Sequence, residues 1–332
     1  AWGPFDDVFE FAYCEDSDLS LRLRSHGHEI KLIPIKYMHH RAKTSSKVDI
    51  DITGIGVTNK IRFVHRWEWY LIRRDFSPRI AVIRSAAMGD VLMSTSALAR
   101  LRKVAPYATI DFYTLTGDML KNNFDVDGIF SIKEIHTNKD KYHAILNWDG
   151  AYEKSPRQSA FKSFYECSVL DWDENDFENM VLNFTQQENE IANNKILKHK
   201  AKFGNKPIAA FFTGKTAWNG RNLECFKFVE AAKYLLDKGW SIIEVGAKDT
   251  ETLGLNTTTS YDALPRINAA IISRCQLYVG IDSFPWNAAQ AAGVPSVVMF
   301  GCIDPKTRVL NKDKVEPIMS KKFGCLGCHH EY

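Results

Sequence analysis

The sequence predicts an α/β protein in which two parallel-sheet units stand in tandem and face each other across a cleft. Three observations carry this. From residue 79 onward short apolar strands alternate with helices, the pattern of βαβ units with right-handed crossovers. The alternation is interrupted once, by the polar stretch "TQQENEIANNKILKHKAKFGNK" at 185–206, and then resumes. Each series has the size of one nucleotide-binding domain, and open parallel sheets bind ligands beyond the carboxyl ends of their strands.

The first series runs "RIAVIR" (79–84), a helix over 91–104, "TIDFYT" (109–114) after Pro106, and "HAILNW" (143–148). The second runs "PIAAFF" (207–212), the helical "NLECFKFVEAAKYLLDKG" (222–239), "WSIIEVG" (240–246), a helix near 265–274, "LYVGI" (277–281), a helix over 285–292 and "PSVVMFG" (295–301). Upstream, residues 1–48 form a separate block, with an acidic helical stretch "CEDSDLSLRLRSHG", a short strand "EIKLIPI" and the pair His39 and His40. Between the blocks, "NKIRFVHRWEWYLIRRDF" (59–76) sets Trp67, Trp69 and Tyr70 among basic residues at helical spacing and stops at Ser77 and Pro78. The domains expected are therefore 1–48, a linker at 49–78, 79–195 and 206–332.

Composition narrows the function classes. Among 332 residues, 43 basic and 40 acidic side chains leave a net charge of +3, too even a balance to recruit nucleic acid by its overall field. No apolar run is long enough to cross a bilayer, and "AWGPFDDVFE" lacks the order of a signal peptide, so a cytoplasmic protein is expected. The linker helix, basic and aromatic, suits either the inner face of the cytoplasmic membrane or packing on a neighbouring domain. Seven scattered cysteines do not form a disulfide framework and are expected to be reduced. The opening without Met and the close after a Cys-x-x-Cys read as a fragment at both ends, the last domain being truncated.

Three stretches carry chemistry. In "VIRSAAMGDVLMSTSALARL" (82–101) a strand enters a helix through a turn holding one glycine and then Asp90. A helix amino end attracts anions, so a carboxylate built in there competes with phosphate. Taken alone, Asp90 is an ordinary N-cap. In "TGKTAW" (213–218), Thr213, Gly214 and Lys215 follow a strand end, where a ligand would sit; taken alone they make a surface loop. In "YVGIDSFPWNAAQAAGVPSVVMFG" (278–301), Asp282 and Ser283 precede a helix with Pro285 in its first turn. The N–H groups of 283–287, with the helix dipole, suit a diphosphate, and the same residues also suit a plain capped helix.

Together, "IRSAAMGDVLMSTSAL", "FFTGKTAWNGRNLECFKFVEAAKYLLDKGWSIIEVGAKDTE" and "VGIDSFPWNAAQAAGVPSVVMFGCIDP" resemble the family 9 glycosyltransferases, the ADP-heptose:lipopolysaccharide heptosyltransferases and their relatives, over about 79–332. That resemblance implies the GT-B fold, two Rossmann-like domains facing a cleft, with residues 79–195 on the acceptor side and 206–332 on the nucleotide-sugar side. It implies Asp90 as general base and Thr213, Lys215, Gly246, Asp282, Ser283 and Phe284 as donor-binding residues. It also implies an ADP-heptose-like donor, a saccharide or lipid-linked acceptor and no required cofactor. Two positions depart from the family's pattern: Phe284 stands where Gly is usual after Asp-Ser, and Asn287 where His is frequent.

The upstream "GPFDDVFEFAYCEDSDLSLRLRSHGHEIKLIPIKYMHHRAKTS" resembles the carboxyl-terminal part of family 2 glycosyltransferases, which have the GT-A fold. By that match Glu15 or Asp16 is the acceptor-side base and His40 a ligand for a divalent metal in an intact module. The given sequence does not include the nucleotide-binding half of such a module, so the remnant is expected to be inert unless the natural protein is longer, and a clipped tandem enzyme is expected. At the other end "CLGCHHEY" offers Cys325 and Cys328, with His329 and His330, as half of a metal site. The expected function is sugar transfer from a nucleoside-diphosphate donor with inversion, as in lipopolysaccharide assembly. The competing expectation is a non-catalytic nucleotide-sugar-binding or scaffold protein in glycan assembly. A dinucleotide enzyme is disfavoured because no G-x-G-x-x-G follows either first strand.

Overall fold

The structure, a computed structural model, describes residues 9, 14–25, 28, 30, 52–72, 78–168, 170–216 and 219–319. The chain divides into two compact units, Ala1–Ser77 and Pro78–Tyr332.

In the first unit the described elements are α1 (Glu15–Ser25) and α2 (Ile52–Ile72). The helix read from the basic and aromatic spacing thus begins earlier than residue 59. Its Arg66 and Trp67 turn inward onto Asp18, which is fully buried on α1. The Trp67 indole donates to Asp18 Oδ1 at 2.7 Å, Arg66 donates to the same oxygen at 3.2 Å, and Arg22 donates to Oδ2 at 2.8 Å. A buried carboxylate is stable only when its lone pairs are filled in this way. Among the described residues, no helix is long and apolar enough to cross a membrane.

The second unit holds two parallel sheets. The first comprises β1 (Arg79–Ile83), β2 (Thr109–Thr114), β3 (Gly128–Ser131) and β4 (Ala144–Asn147) in the order β3-β2-β1-β4. Its helices are α3 (Met88–Val104), the short α4 (Ile135–Asn138) and α5 (Ala160–Cys167). The strand "GIFS" at β3 was not singled out by the sequence pattern. It is a four-residue edge strand that begins on a glycine and has no fully buried residue, so no buried apolar run marks it. The second sheet has the order β10-β9-β8-β5-β6-β7, from β5 (Ile208–Phe211), β6 (Ser241–Val245), β7 (Thr258–Ser260), β8 (Leu277–Ile281), β9 (Ser296–Phe300) and β10 (Val315–Met319). All its pairings are parallel, as the alternating pattern requires.

The polar stretch at 185–206 is not a connecting loop. It forms α6 (Gln186–Phe203), opened by a reciprocal cap in which Glu188 N–H donates to Thr185 Oγ1 and Thr185 N–H donates to the Glu188 carboxylate. Gly204, with φ +77°, ends it. Only Ala192, Ile196 and His199 are buried, a stripe at i, i+4, i+7 too narrow to stand out in a sequence this polar. Ala192 and Ile196 join the core of the second sheet, so the expected boundary at 195 falls inside a helix. Arg266 of α8 (Pro265–Ile272) grips Glu188 in a bidentate pair at 2.7 and 2.9 Å, and α7 (Phe226–Asp237) and α9 (Phe284–Ala291) complete the layer of helices.

His199 is 1% exposed, with Nδ1 2.6 Å from Thr258 Oγ1 and Nε2 buried without a hydrogen-bond partner among the described residues. Burial, followed by the charge of Lys202, holds its pKa down to about 4. The unfolded chain takes up a proton near pH 6.5 that the folded state refuses. The stability contributed by the neutral ring is therefore complete above about pH 6.5 and is lost as pH falls towards 4. Denaturant titrations of wild type and His199→Gln should differ across this window by up to about 3 kcal/mol, with the flatter profile in the variant. Parallel profiles would contradict this account of His199.

Candidate functional site

β1 runs into α3 through Arg84–Ala87, and α3 starts at Met88, three residues earlier than the apolar pattern suggests. Asp90 is therefore the third residue of the helix, not its cap. From there its carboxylate reaches back to accept the Ala87 N–H at 3.0 Å, beside the positive end of the helix dipole. Two further groups orient it. Arg84 Nη2 lies 3.0 Å from Oδ2, and the Tyr152 hydroxyl donates to Oδ1 at 2.7 Å. Arg84 is buried and held in turn by the Trp148 carbonyl at 3.1 Å and Glu153 at 2.8 Å. Burial and the charge of Asp90 push the Tyr152 hydroxyl well above the usual phenol range, so it remains a proton-bearing donor.

The opposite wall is the β8–α9 junction. Ser283 is the N-cap residue in extended backbone, yet its hydroxyl turns back to the Ile281 carbonyl at 3.1 Å and caps nothing. Pro285 has no N–H, and that of Asn287 returns to the Ser283 carbonyl at 3.1 Å. The donors of this turn thus narrow from the run 283–287 to Ser283, Phe284 and Trp286. Asp282 is 3% exposed. Burial raises its pKa, opposed by Arg221, whose Nε lies 3.4 Å from Oδ2, and by Arg308.

The two walls meet where Gly89 faces α9. A Cβ on Gly89 would lie 2.6 Å from Asn287 Nδ2 and 3.7 Å from the Phe284 Cα, so glycine is what allows the two helix amino ends to approach. Between them opens a cleft of about 520 Å³ lined by Asp90, Lys215, Gly246, Asp282, Ser283 and Phe284 among others. Gly246 leaves no room for a side chain, since a Cβ there would come within 2.4 Å of Thr250 Oγ1. Thr213 is placed differently. It is buried, its hydroxyl donates to the Glu251 carbonyl at 2.8 Å, and it does not line the cleft.

Sequence reasoning missed Arg84, Tyr152, Arg221 and Arg308, all of which line or support the cleft. Arg84 sits inside the quoted turn and could have been noticed as the cation nearest Asp90. Tyr152 is 62 residues from Asp90, and nothing local marks it.

In the first unit, Glu15 and Asp16 occupy the opening turn of α1, with Asp16 exposed and accepting the Ser17 N–H at 2.7 Å. His40, Cys325 and Cys328 lie outside the described residues. Among the described residues, no three His, Cys, Asp or Glu side chains gather as a metal site, and Cys14, Cys167, Cys225 and Cys275 are free thiols.

The fold class is therefore two parallel α/β lobes with a cleft at the carboxyl ends of their strands. No family model matches the sequence, and no curated protein matches it. Solved structures do match in fold. The glycosyl transferase family 9 protein from Veillonella parvula DSM 2008 is 16% identical with a TM-score of 0.63, over 73% of this chain and 86% of that one. The ADP-heptose LPS heptosyltransferase II of E. coli is 16% identical with a TM-score of 0.53, over 72% and 90%. The E. coli heptosyltransferase WaaC, solved with ADP, is 14% identical with a TM-score of 0.50, over 73% and 93%.

The Gly89 contact is testable by size. Asn287 is buried and cannot swing aside freely. Gly89→Val should destabilise the protein by about 1–3 kcal/mol in chemical denaturation, as overpacking does, and adding Asn287→Ala should recover part of that loss. A Gly89→Val variant as stable as wild type would contradict the close approach.

Proposed function

We propose that this protein is an inverting glycosyltransferase that moves a sugar, a heptose in the first instance, from a nucleoside-diphosphate donor to a saccharide or lipid-linked acceptor. The observation that carries the reading is one cleft with an oriented carboxylate on one wall and an uncapped helix amino end with a lysine on the other. Fold likeness to glycosyltransferases, one of them solved with ADP, supports the donor class.

The chemistry follows from the charges. An acceptor hydroxyl is a weak nucleophile at neutral pH. Asp90 takes its proton as the oxygen attacks the anomeric carbon, while the bond from that carbon to the diphosphate breaks and its electron pair leaves with the nucleoside diphosphate. Attack opposite the leaving group inverts the anomeric configuration. Lys215 and the N–H groups at the start of α9 stabilise the charge growing on the diphosphate. Arg84 and Tyr152 hold the Asp90 carboxylate in one orientation for the proton transfer.

Phe284 favours a second reading, a nucleotide-sugar-binding protein without turnover, because its side chain borders the cleft where the resemblance expects glycine. One experiment separates the two. Sugar transfer from a panel of nucleotide sugars is measured for wild type and Asp90→Asn, alongside the thermal shift given by ADP. We expect transfer by wild type, a loss of about 100- to 10,000-fold in the variant, and the same ADP shift in both. Undiminished transfer by Asp90→Asn would remove the assigned base, and an ADP shift without any transfer would favour the binding protein.

A further inference from the structure

Arg308 is a buried cation whose partners do not explain it. It lies after β9, in the loop that leads to β10, and is 3% exposed. Its Nη1 donates to the carbonyl and hydroxyl of the adjacent Thr307, both at 3.2 Å, and among the described residues it forms no ion pair within 4 Å. A guanidinium taken out of water needs compensation. Besides the charge of the buried Asp282, it has the face of Tyr152, with the guanidinium carbon 4.2 Å from the ring centroid. Tyr152 belongs to the other lobe, and its hydroxyl is the one that donates to Asp90.

The loop that carries Arg308 is tied to α9. Gln290 of α9 donates to the Arg308 carbonyl at 3.3 Å and accepts the Leu310 N–H at 2.6 Å. A continuous line of contacts therefore runs from the helix whose amino end faces the cleft, through Gln290 and Arg308, to the ring of Tyr152 and the carboxylate of Asp90. Arg84 also lies 5.2 Å from the ring centroid, and Phe164 packs edge-on at 6.0 Å. The Arg308 face is the only one of these supports supplied by the second lobe.

We propose that Arg308 is a positioning residue: by stacking on Tyr152 it fixes the hydroxyl that orients Asp90, and so couples the placement of the α9 lobe to the alignment of the base. This rests on the reading of Asp90 as general base. Arg308 touches neither the reacting atoms nor the proton. Arg308 also lines the cleft beside Asp282, so the ADP measurement separates an effect through Tyr152 from a direct effect on the donor.

The test is a double-mutant cycle on the full chain with Arg308→Met, Arg308→Lys, Tyr152→Phe and Arg308→Met/Tyr152→Phe, read as kcat for sugar transfer and as ADP affinity by calorimetry. Arg308→Met should lower kcat by about 10- to 100-fold, the size expected for a slightly misplaced catalytic group, with ADP affinity unchanged. Arg308→Lys should recover part of the loss because a cation still faces the ring. In the Tyr152→Phe background, Arg308→Met should cost nothing further. Additive losses, or a loss confined to ADP affinity, would overturn the proposal. A crystal structure of Arg308→Met gives an answer independent of turnover. The Tyr152 hydroxyl should leave Asp90 there, and its retention at the wild-type position would overturn the proposal. If wild type transfers no sugar, the functional reading fails, and this structure still decides whether Arg308 holds Tyr152.

Discussion

The arrangement depends on bringing two helix amino ends, those of α3 and α9, together at Gly89 and Asn287. Both ends carry partial positive charge, and their approach is unfavourable unless negative charge lies between them. The two ends meet that requirement differently. α3 carries its own counter-charge in Asp90, which accepts the Ala87 N–H and is paired with Arg84. α9 has no side-chain cap, because the Ser283 hydroxyl turns back to Ile281. The site is thus asymmetric in its caps: the Asp90 side chain accepts an N–H at the start of α3, whereas no side chain caps α9. On the proposed reading, the donor's diphosphate takes the α9 end and leaves Asp90 to act as the base.

The rest of the second unit keeps this junction in place. The buried Arg84 ties Asp90 to the Trp148 carbonyl and to Glu153 beyond the end of β4, and Ser85 N–H donates to Asp149 at 2.7 Å, so the β1–α3 turn is fastened on both sides. Across the cleft, Arg266 joins α8 to α6 through Glu188 and donates to the Met119 carbonyl of the first lobe at 3.4 Å. These are charge-assisted contacts of a buried arginine with fixed geometry, the kind that specify a relative placement of elements as well as adding stability.

Much of this was legible in the sequence, for definable reasons. Buried parallel strands are short continuous apolar runs, so "RIAVIR", "TIDFYT" and "LYVGI" declare themselves. Asp90, Lys215 and Asp282 follow the ends of β1, β5 and β8, on the side where ligands of such sheets bind, and the structure lines one cleft with all three. The illegible parts are those set by tertiary partners. α6 hides because three buried residues support eighteen. Thr213 stands two residues before Lys215, yet its side chain is buried and its hydroxyl is taken by the Glu251 carbonyl, a partner 38 residues away that nothing local marks. Tyr152 and Arg308 lie in different lobes and acquire a role only when the two lobes meet.

The central claim, that phosphate belongs to α9 and the working carboxylate to α3, is tested most directly by a crystal structure of the protein with ADP. The diphosphate should lie against the N–H groups that open α9, within reach of Lys215, with Asp90 still bonded to Tyr152 across the cleft. A diphosphate seated on the Gly89–Asp90 turn of α3 would contradict it.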